Sequence, residues 1–211
     1  LVFESSPVFF YVCTVLLALT VGSFLNVVVY RLPKMLEQGW YLECREFLAD
    51  EVTNIPAKKI ETITLSKPDS SCPHCGHKIR FYENIPVLSW LILKGKCSSC
   101  NKPISKRYPI VETSTGVLSL VVAIQLGVSI NTVFILLLTW GLICLTLIDL
   151  DHMLLPDQIT LPLLWLGLIL NINASFVPLQ DAVIGAAVGY MSLYSVFWLF
   201  KLLTGKEGMG H

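Results

Sequence analysis

The chain has 211 residues, 54% hydrophobic and 14% charged, with zero formal net charge at pH 7 and a mean hydropathy of +0.68. Soluble domains carry about 25% charged residues, so an ordinary water-soluble globule is excluded, and zero net charge gives no global pull towards nucleic acid as a partner. The apolar residues cluster in stretches of about 18 to 23, long enough to cross roughly 30 Å of hydrocarbon, and the fold class expected is an all-α polytopic membrane protein of about five transmembrane helices.

The first span is expected from about Pro7 to Tyr30. It is not a signal peptide, because no basic region precedes it and no small-x-small cleavage site follows it. Residues 31–109 form a long polar segment. A second span is expected from about Ile110 to Leu126, and a third opens at Asn131 and ends near Ile148. A polar turn from Asp149 to Asp157 leads into a fourth, from about Ile159 to Leu170. That span is short and contains Pro162, and since proline is tolerated in a first helical turn, Thr160 rather than Asp157 is a candidate N-cap. The fifth span is expected from about Ala182 to Phe200. No internal repeat is visible. The domain division is therefore 1–30, a first transmembrane span; 31–109, a cytoplasmic module; and 110–211, a further transmembrane region. The chain starts at Leu1 rather than Met and stops at Gly208-Met209-Gly210-His211, so it reads as a fragment.

Charge orients the spans. Of the 15 Lys and Arg, 13 lie in 31–109, and Lys201 and Lys206 follow the fifth span. The segments assigned to the opposite side have none. Basic residues near span ends mark the cytoplasmic face, so the long loop is cytoplasmic and the amino terminus external. Asp149, Asp151, His152 and Asp157 then lie at the cytoplasmic membrane edge, together with Gly208 to His211. Asp181 starts the fifth span from outside and cannot join chemistry at Asp149. Asn173-Ala174-Ser175 is a formal glycosylation sequon that carries little weight.

Two Cys-x-x-Cys pairs, Cys72-Pro73-His74-Cys75 and Cys97-Ser98-Ser99-Cys100, lie in the polar loop with 21 residues between them. This spacing fits a tetrahedral structural zinc site, closed by four thiolates with no open position for chemistry. The alternatives are two disulfides or four unrelated thiols. A cytoplasmic loop keeps thiols reduced, which favours zinc. Cys13 and Cys144 fall inside spans and read as apolar packing; Cys44 is unassigned.

Several motifs resemble the type IV prepilin peptidases. Gly22-Ser23-Phe24-Leu25-Asn26-Val27-Val28 with Tyr30-Arg31-Leu32-Pro33 is similar to that family's opening motif. Ser71-Cys72-Pro73-x-Cys75, Asn84-Ile85-Pro86, Ser89-Trp90, Gly95-Lys96-Cys97-x-x-Cys100 and Ile104-Ser105-x-Arg107-Tyr108-Pro109-x-Val111-Glu112 resemble its cytoplasmic loop. Asp149-x-Asp151-x-x-x-Leu155-Pro156-Asp157-x-x-Thr160-Leu161-Pro162 resembles its first catalytic block, and Gly208-Met209-Gly210-His211 looks like the start of its second. The resemblance implies a bacterial inner-membrane enzyme, multi-pass, with its active site on the cytoplasmic side. It would cleave the leader of type IV prepilins and type II secretion pseudopilins, then methylate the new amino terminus using S-adenosylmethionine. It also implies an aspartic-peptidase pair whose first member matches Asp149. The second would close the glycine motif after His211, so the 211 residues alone are expected to lack peptidase activity. A methyltransferase-only relative, or a non-enzymatic membrane adaptor with a zinc module, are the alternatives.

An aspartic peptidase needs two carboxylates that share a proton, because like charges so close do not both ionise. A carboxylate at the membrane edge is a functional candidate by default, against the plain reading of a residue that ends a helix. Asp151 and His152 read as solvated neighbours, and Asp157 as a cap or turn residue with a supporting role as the alternative. Gly22 and Ser23 suit close helix packing. Asn26 needs a polar partner within its span, and Arg31 most simply anchors the span at the headgroups. Trp40, Tyr82, Trp90 and Tyr108 either cover the zinc module or line a methyl-donor pocket, with packing preferred. Glu112 either binds a substrate amine or is a first-turn acid favoured by the helix dipole. No sequence motif for S-adenosylmethionine is readable.

Overall fold

A computed structural model describes residues 3, 6–48, 63–173 and 176–205, the side chain of Asn173 excepted. The sequon's Ala174 and Ser175 and the segment Gly208 to His211 lie outside the described residues. Those described form six helices: α1 (Pro7–Phe47), α2 (Leu88–Ile92), α3 (Arg107–Leu126), α4 (Ile130–His152), α5 (Asp157–Leu170) and α6 (Leu179–Thr204). Two 3₁₀ turns and two isolated β-bridges complete the regular structure described. Four helices, α1, α3, α4 and α6, are long and apolar enough to cross a membrane. The fourth expected span, α5, has 14 residues, about 21 Å at 1.5 Å per residue.

The chain divides into two compact units, Leu1–Cys144 and Leu145–His211. In the first, α1 packs along α3 through small residues. Gly22 is the point of closest approach: a Cβ there would meet the Glu112 Cα at 2.8 Å and the Thr115 side chain at 3.2 Å. Ala18, Thr115, Ser119 and Ala123 are fully buried on the same seam. Lipid offers no hydrophobic drive for helix association, so close backbone approach through small residues supplies the contact. The Trp140 indole on α4 donates to the buried Ser119 hydroxyl at 2.9 Å, tying α4 to α3. Ser129 starts α4 one residue earlier than Asn131 would, its hydroxyl accepting the Thr132 amide at 3.2 Å.

The first helix differs from expectation. It does not stop at Tyr30 but runs on to Phe47, with a buried Pro33 inside it. Proline removes one backbone bond from a helix interior and normally breaks it. Here the residues after Pro33 include Lys34, Met35, Leu36, Glu37 and Gln38, all strong helix formers, and Lys34 lies 3.5 Å over the Tyr30 ring across the proline.

In the second unit, α5 starts at Asp157 with Pro156 at the cap position. Thr160 is therefore not the cap; its hydroxyl donates back to the Pro156 carbonyl at 3.4 Å, and Pro162 is accommodated inside the helix. The acidic Asp157 in the first turn suits the positive end of the helix dipole. α6 has no buried residue in its apolar window and is long and apolar enough to cross a membrane.

Candidate functional site

The two Cys-x-x-Cys segments fold as near copies of one another, a local repeat that sequence inspection missed. In the first, the Cys72 amide donates to His77 and the Gly76 amide to Cys72; in the second, Cys97 donates to Lys102 and Asn101 to Cys97. Bridges Ser71↔Lys78 and Lys96↔Pro103 close each loop at the same register. The turn after each second cysteine needs a left-handed residue, filled by Gly76 (φ 70) and Asn101 (φ 57), the two residue types that adopt it most readily.

The four sulfurs lie within 4.8 Å of one another. Cys72 Sγ is 3.8 Å from Cys100 Sγ, and Cys75 Sγ 4.0 Å from Cys97 Sγ. A tetrahedral ion with bonds of about 2.3 Å spaces its sulfurs by about 3.8 Å, so the donor set fits zinc. All seven cysteines are free, which sets the disulfide alternative aside. The His74 and Cys75 amides draw the Cys72 thiol down to about 6. The Cys100 and Ser99 amides likewise lower Cys97. Cys100 goes the other way: against the pull of the Lys102 amide, burial and the neighbouring sulfurs raise it to about 11. Zinc is held by thiolates, so a bound cation would displace the protons these sulfurs carry.

A polar network braces the first loop against the second. His77 Nε2 lies 3.3 Å from Glu83 Oε2 and 3.3 Å from the Ser98 hydroxyl. The Arg80 amide donates to the same Glu83 oxygen at 2.9 Å and, with the Ser98 and His77 contacts, holds the Glu83 carboxyl at about 2. His77 and Glu83 carry no metal-ligand spacing, and only their fold-level proximity reveals the brace.

Arg31 is not a headgroup anchor. It is 9% exposed, and its guanidinium donates to the carbonyls of Thr64 (2.9 Å), Leu65 (3.3 Å) and Pro68 (2.6 Å), fastening the start of the cysteine loop to α1. Asn26 finds the expected polar partners: its Nδ2 donates to the carbonyls of Gly22 (3.2 Å) and Tyr108 (3.4 Å), the latter on α3. Glu112 is neither an open amine receptor nor a first-turn surface acid. It is 7% exposed and accepts the Val87 amide at 2.7 Å. Trp90 packs its ring on Gly95 and donates to the Ile104 carbonyl at 3.4 Å, which bears out packing. Tyr82 accepts from Arg80 at 2.5 Å, and Trp40 and Tyr108 are exposed. Cys144 is buried, Cys13 partly so, and Cys44 is exposed on α1.

Asp149 lies in the last turn of α4 with its side chain exposed, and its carbonyl accepts the Met153 amide at 2.8 Å, closing the helix. Asp151 and His152 follow it, exposed; Met153 turns with φ 51; and buried Pro156 leads directly into Asp157 of α5. The motif is thus a helix end, a tight turn and a helix start, with its acids at an edge. Asp181 sits in the first turn of α6.

Two family models match the chain in the order of these motifs. Bacterial Peptidase A24 N-terminal domain covers residues 16–126, and Type IV leader peptidase family covers residues 136–211. Among curated relatives, the prepilin leader peptidase/N-methyltransferase of Pseudomonas aeruginosa is 58% identical over 98% of this chain and 70% of its own length. Proteins of the same name from Stutzerimonas stutzeri and Neisseria gonorrhoeae are 54% and 53% identical, over 98% and 92% of this chain and 70% and 67% of theirs. No solved structure matches. With both models matched in order and such identity along nearly its whole length, the chain belongs to the type IV leader peptidase family.

Proposed function

We propose that this chain belongs to a bifunctional enzyme of the bacterial inner membrane. It cleaves the leader peptide from type IV prepilins and type II secretion pseudopilins, and methylates the amino terminus so exposed. The observation that carries this reading is the family match over residues 136–211, which takes in Asp149 and the turn to Asp157.

Asp149 is one carboxylate of the catalytic pair, and the aspartate expected to close the glycine motif opening at Gly208 is the other. One carboxylate takes a proton from water as its oxygen adds to the scissile carbonyl. The other, protonated, polarises that carbonyl and then protonates the leaving amine as the carbon–nitrogen bond breaks. The distribution of basic residues supports a cytoplasmic site. Zinc held by Cys72, Cys75, Cys97 and Cys100 is structural, since four thiolates leave it no open position. S-adenosylmethionine supplies the methyl group for the second activity, a reading supported by the relatives' names, with no residue assigned to the donor.

The test is Asp149→Asn in the full-length enzyme in lipid, with cleavage of a prepilin, methylation of a pre-cleaved substrate and zinc content measured together. Cleavage should fall by about 10²–10⁴-fold, with methylation and zinc retained. Undiminished cleavage removes Asp149 from the mechanism.

A further inference from the structure

The helix α2 is built inside out for a water-facing loop. Leu88, Leu91 and Ile92 are spaced i, i+3, i+4, the apolar stripe of an amphipathic helix. That stripe faces away from the protein, with Leu88 and Leu91 57% exposed and Ile92 76% exposed. The side chains between them turn inward: Ser89 and Trp90 are partly covered, and Trp90 packs on Gly95. Lys94 and Lys96 follow at once and are exposed.

Two helices fix the depth of this segment. Val87, which immediately precedes α2, is bonded through its amide to Glu112, five residues after the start of α3. α3 has 20 residues, about 30 Å, and so needs nearly its whole length to cross the hydrocarbon. Glu112 is therefore about 8 Å inside the end of that span. On α1, Gly22, which meets Glu112, lies nine residues, about 14 Å of helix, before Arg31, the first charge after the α1 apolar run, so the contact is inside that helix's apolar run as well. Ile92 lies five residues beyond Val87, at most about 10 Å away: one Cα step and four helical rises. The exposed stripe thus stays within about 10 Å of a bond near the Arg107 end of the α3 span, close to where acyl chains meet headgroups.

We propose that α2 is a membrane-interface anchor. Leu88, Leu91 and Ile92 enter the acyl region of the cytoplasmic leaflet, and Lys94 and Lys96 pair with anionic headgroups, as interfacial helices do. The module between α1 and α3 is then held against the bilayer at three places: Arg31 through its loop carbonyls, Val87 through Glu112, and α2 through lipid. This rests on the membrane-spanning reading of α1 and α3, and not on the peptidase assignment.

The test replaces Leu91 or Ile92 with an environment-sensitive fluorescent amino acid in the full-length protein. The protein is placed in phosphatidylethanolamine–phosphatidylglycerol nanodiscs whose acyl chains are brominated near the headgroup end. Ile110, exposed near the start of the α3 span, serves as the quenched reference, and Ser99, exposed on the second cysteine loop, as the unquenched one. Probes at 91 and 92 should be quenched like the one at Ile110. Fluorescence matching Ser99 overturns the proposal. So does a probe that is shielded only when a prepilin-derived peptide is added, which would make the stripe a peptide-docking face.

Discussion

Glu112 on α3 accepts the backbone amide of Val87 at 2.7 Å, so a carboxylate within a helix long and apolar enough to cross a membrane serves the backbone of the cysteine module. Val87 has φ 61, a left-handed conformation that is strained for a β-branched residue. The bond to Glu112 is what the turn gains for adopting it. Glu112→Gln keeps an acceptor oxygen and should leave the module in place. Glu112→Ala orphans a partly buried amide and should cost about 1–3 kcal/mol. Thermal unfolding in detergent, with hydrogen exchange at Val87 and Leu88, separates the two variants. Equal losses would show that the carboxylate's hydrogen bond is not what matters.

Arg31 offers a parallel case at the other end of the module. Its guanidinium reaches three carbonyls in residues 64–68, and a planar fork suits several acceptors as an ammonium does not. Arg31→Lys should therefore behave nearly as badly as Arg31→Ala. Both should raise hydrogen exchange and protease cleavage across residues 63–70, leaving the spans intact. Protection of that loop in the lysine variant equal to the wild type would show that charge alone suffices.

The contrast between these residues and the cysteines explains what can be read from sequence. Composition and apolar run length are whole-segment properties, so the helices are legible, and Cys-x-x-Cys spacing encodes its own knuckle. Arg31 and Glu112 mislead because each looks like an ordinary span-end residue, and their partners lie 33 and 25 residues away. The end of α1 misleads for a related reason. The apolar run stops at Tyr30, whereas the helix formers beyond Pro33 keep α1 going. Asp149 is legible only through its motif, because an exposed acid in a last helical turn has no local mark of function.

Metal removal tests the cysteine cluster directly. The protein should bind one zinc per chain through four thiolates, and cobalt in its place should give the absorption of a tetrahedral thiolate site. Zinc-finger peptides gain about 10–16 kcal/mol from their metal near pH 7, so chelation should unfold both knuckles together. Amide protection at Cys72, Gly76, Cys97 and Asn101, whose bonds build the loops, should vanish, while α3 and α4 persist. Cys97→Ser should do the same in zinc. Loops that keep their protection after chelation would mean that metal does not hold them.

Acid should weaken the module through Glu83 as well. Its carboxyl sits at about 2, drawn down from the usual 4.5 by the Arg80 amide and then by Ser98 and His77. The unfolded chain therefore binds the proton first as pH falls, so this contribution is present above about 4.5 and is lost as pH drops towards 2. Glu83→Gln removes it. The difference in stability between wild type and Glu83→Gln, followed by thermal unfolding with zinc content measured at each pH, should shrink as pH falls below about 4.5, over the range in which the metal stays bound. A difference that stays constant through it would assign the brace to packing rather than charge.

The α1–α3 seam gives a test that is independent of the metal. A methyl group at Gly22 would sit 2.8 Å from the Glu112 Cα, a backbone atom that cannot swing aside as a side-chain tip would. Gly22→Ala must then push the two helices apart, and overpacking of this kind costs about 1–3 kcal/mol. The displacement falls where Glu112 holds Val87 and where Asn26 reaches the Tyr108 carbonyl, so module and seam should loosen together. Gly39 is the control. It lies in the same helix, and a methyl group there would meet nothing within 4 Å, so Gly39→Ala should stabilise α1 by up to about 1 kcal/mol. Opposite signs for the two substitutions in detergent unfolding are expected; a neutral Gly22→Ala would show that the seam has slack and that close approach is not what joins α1 to α3.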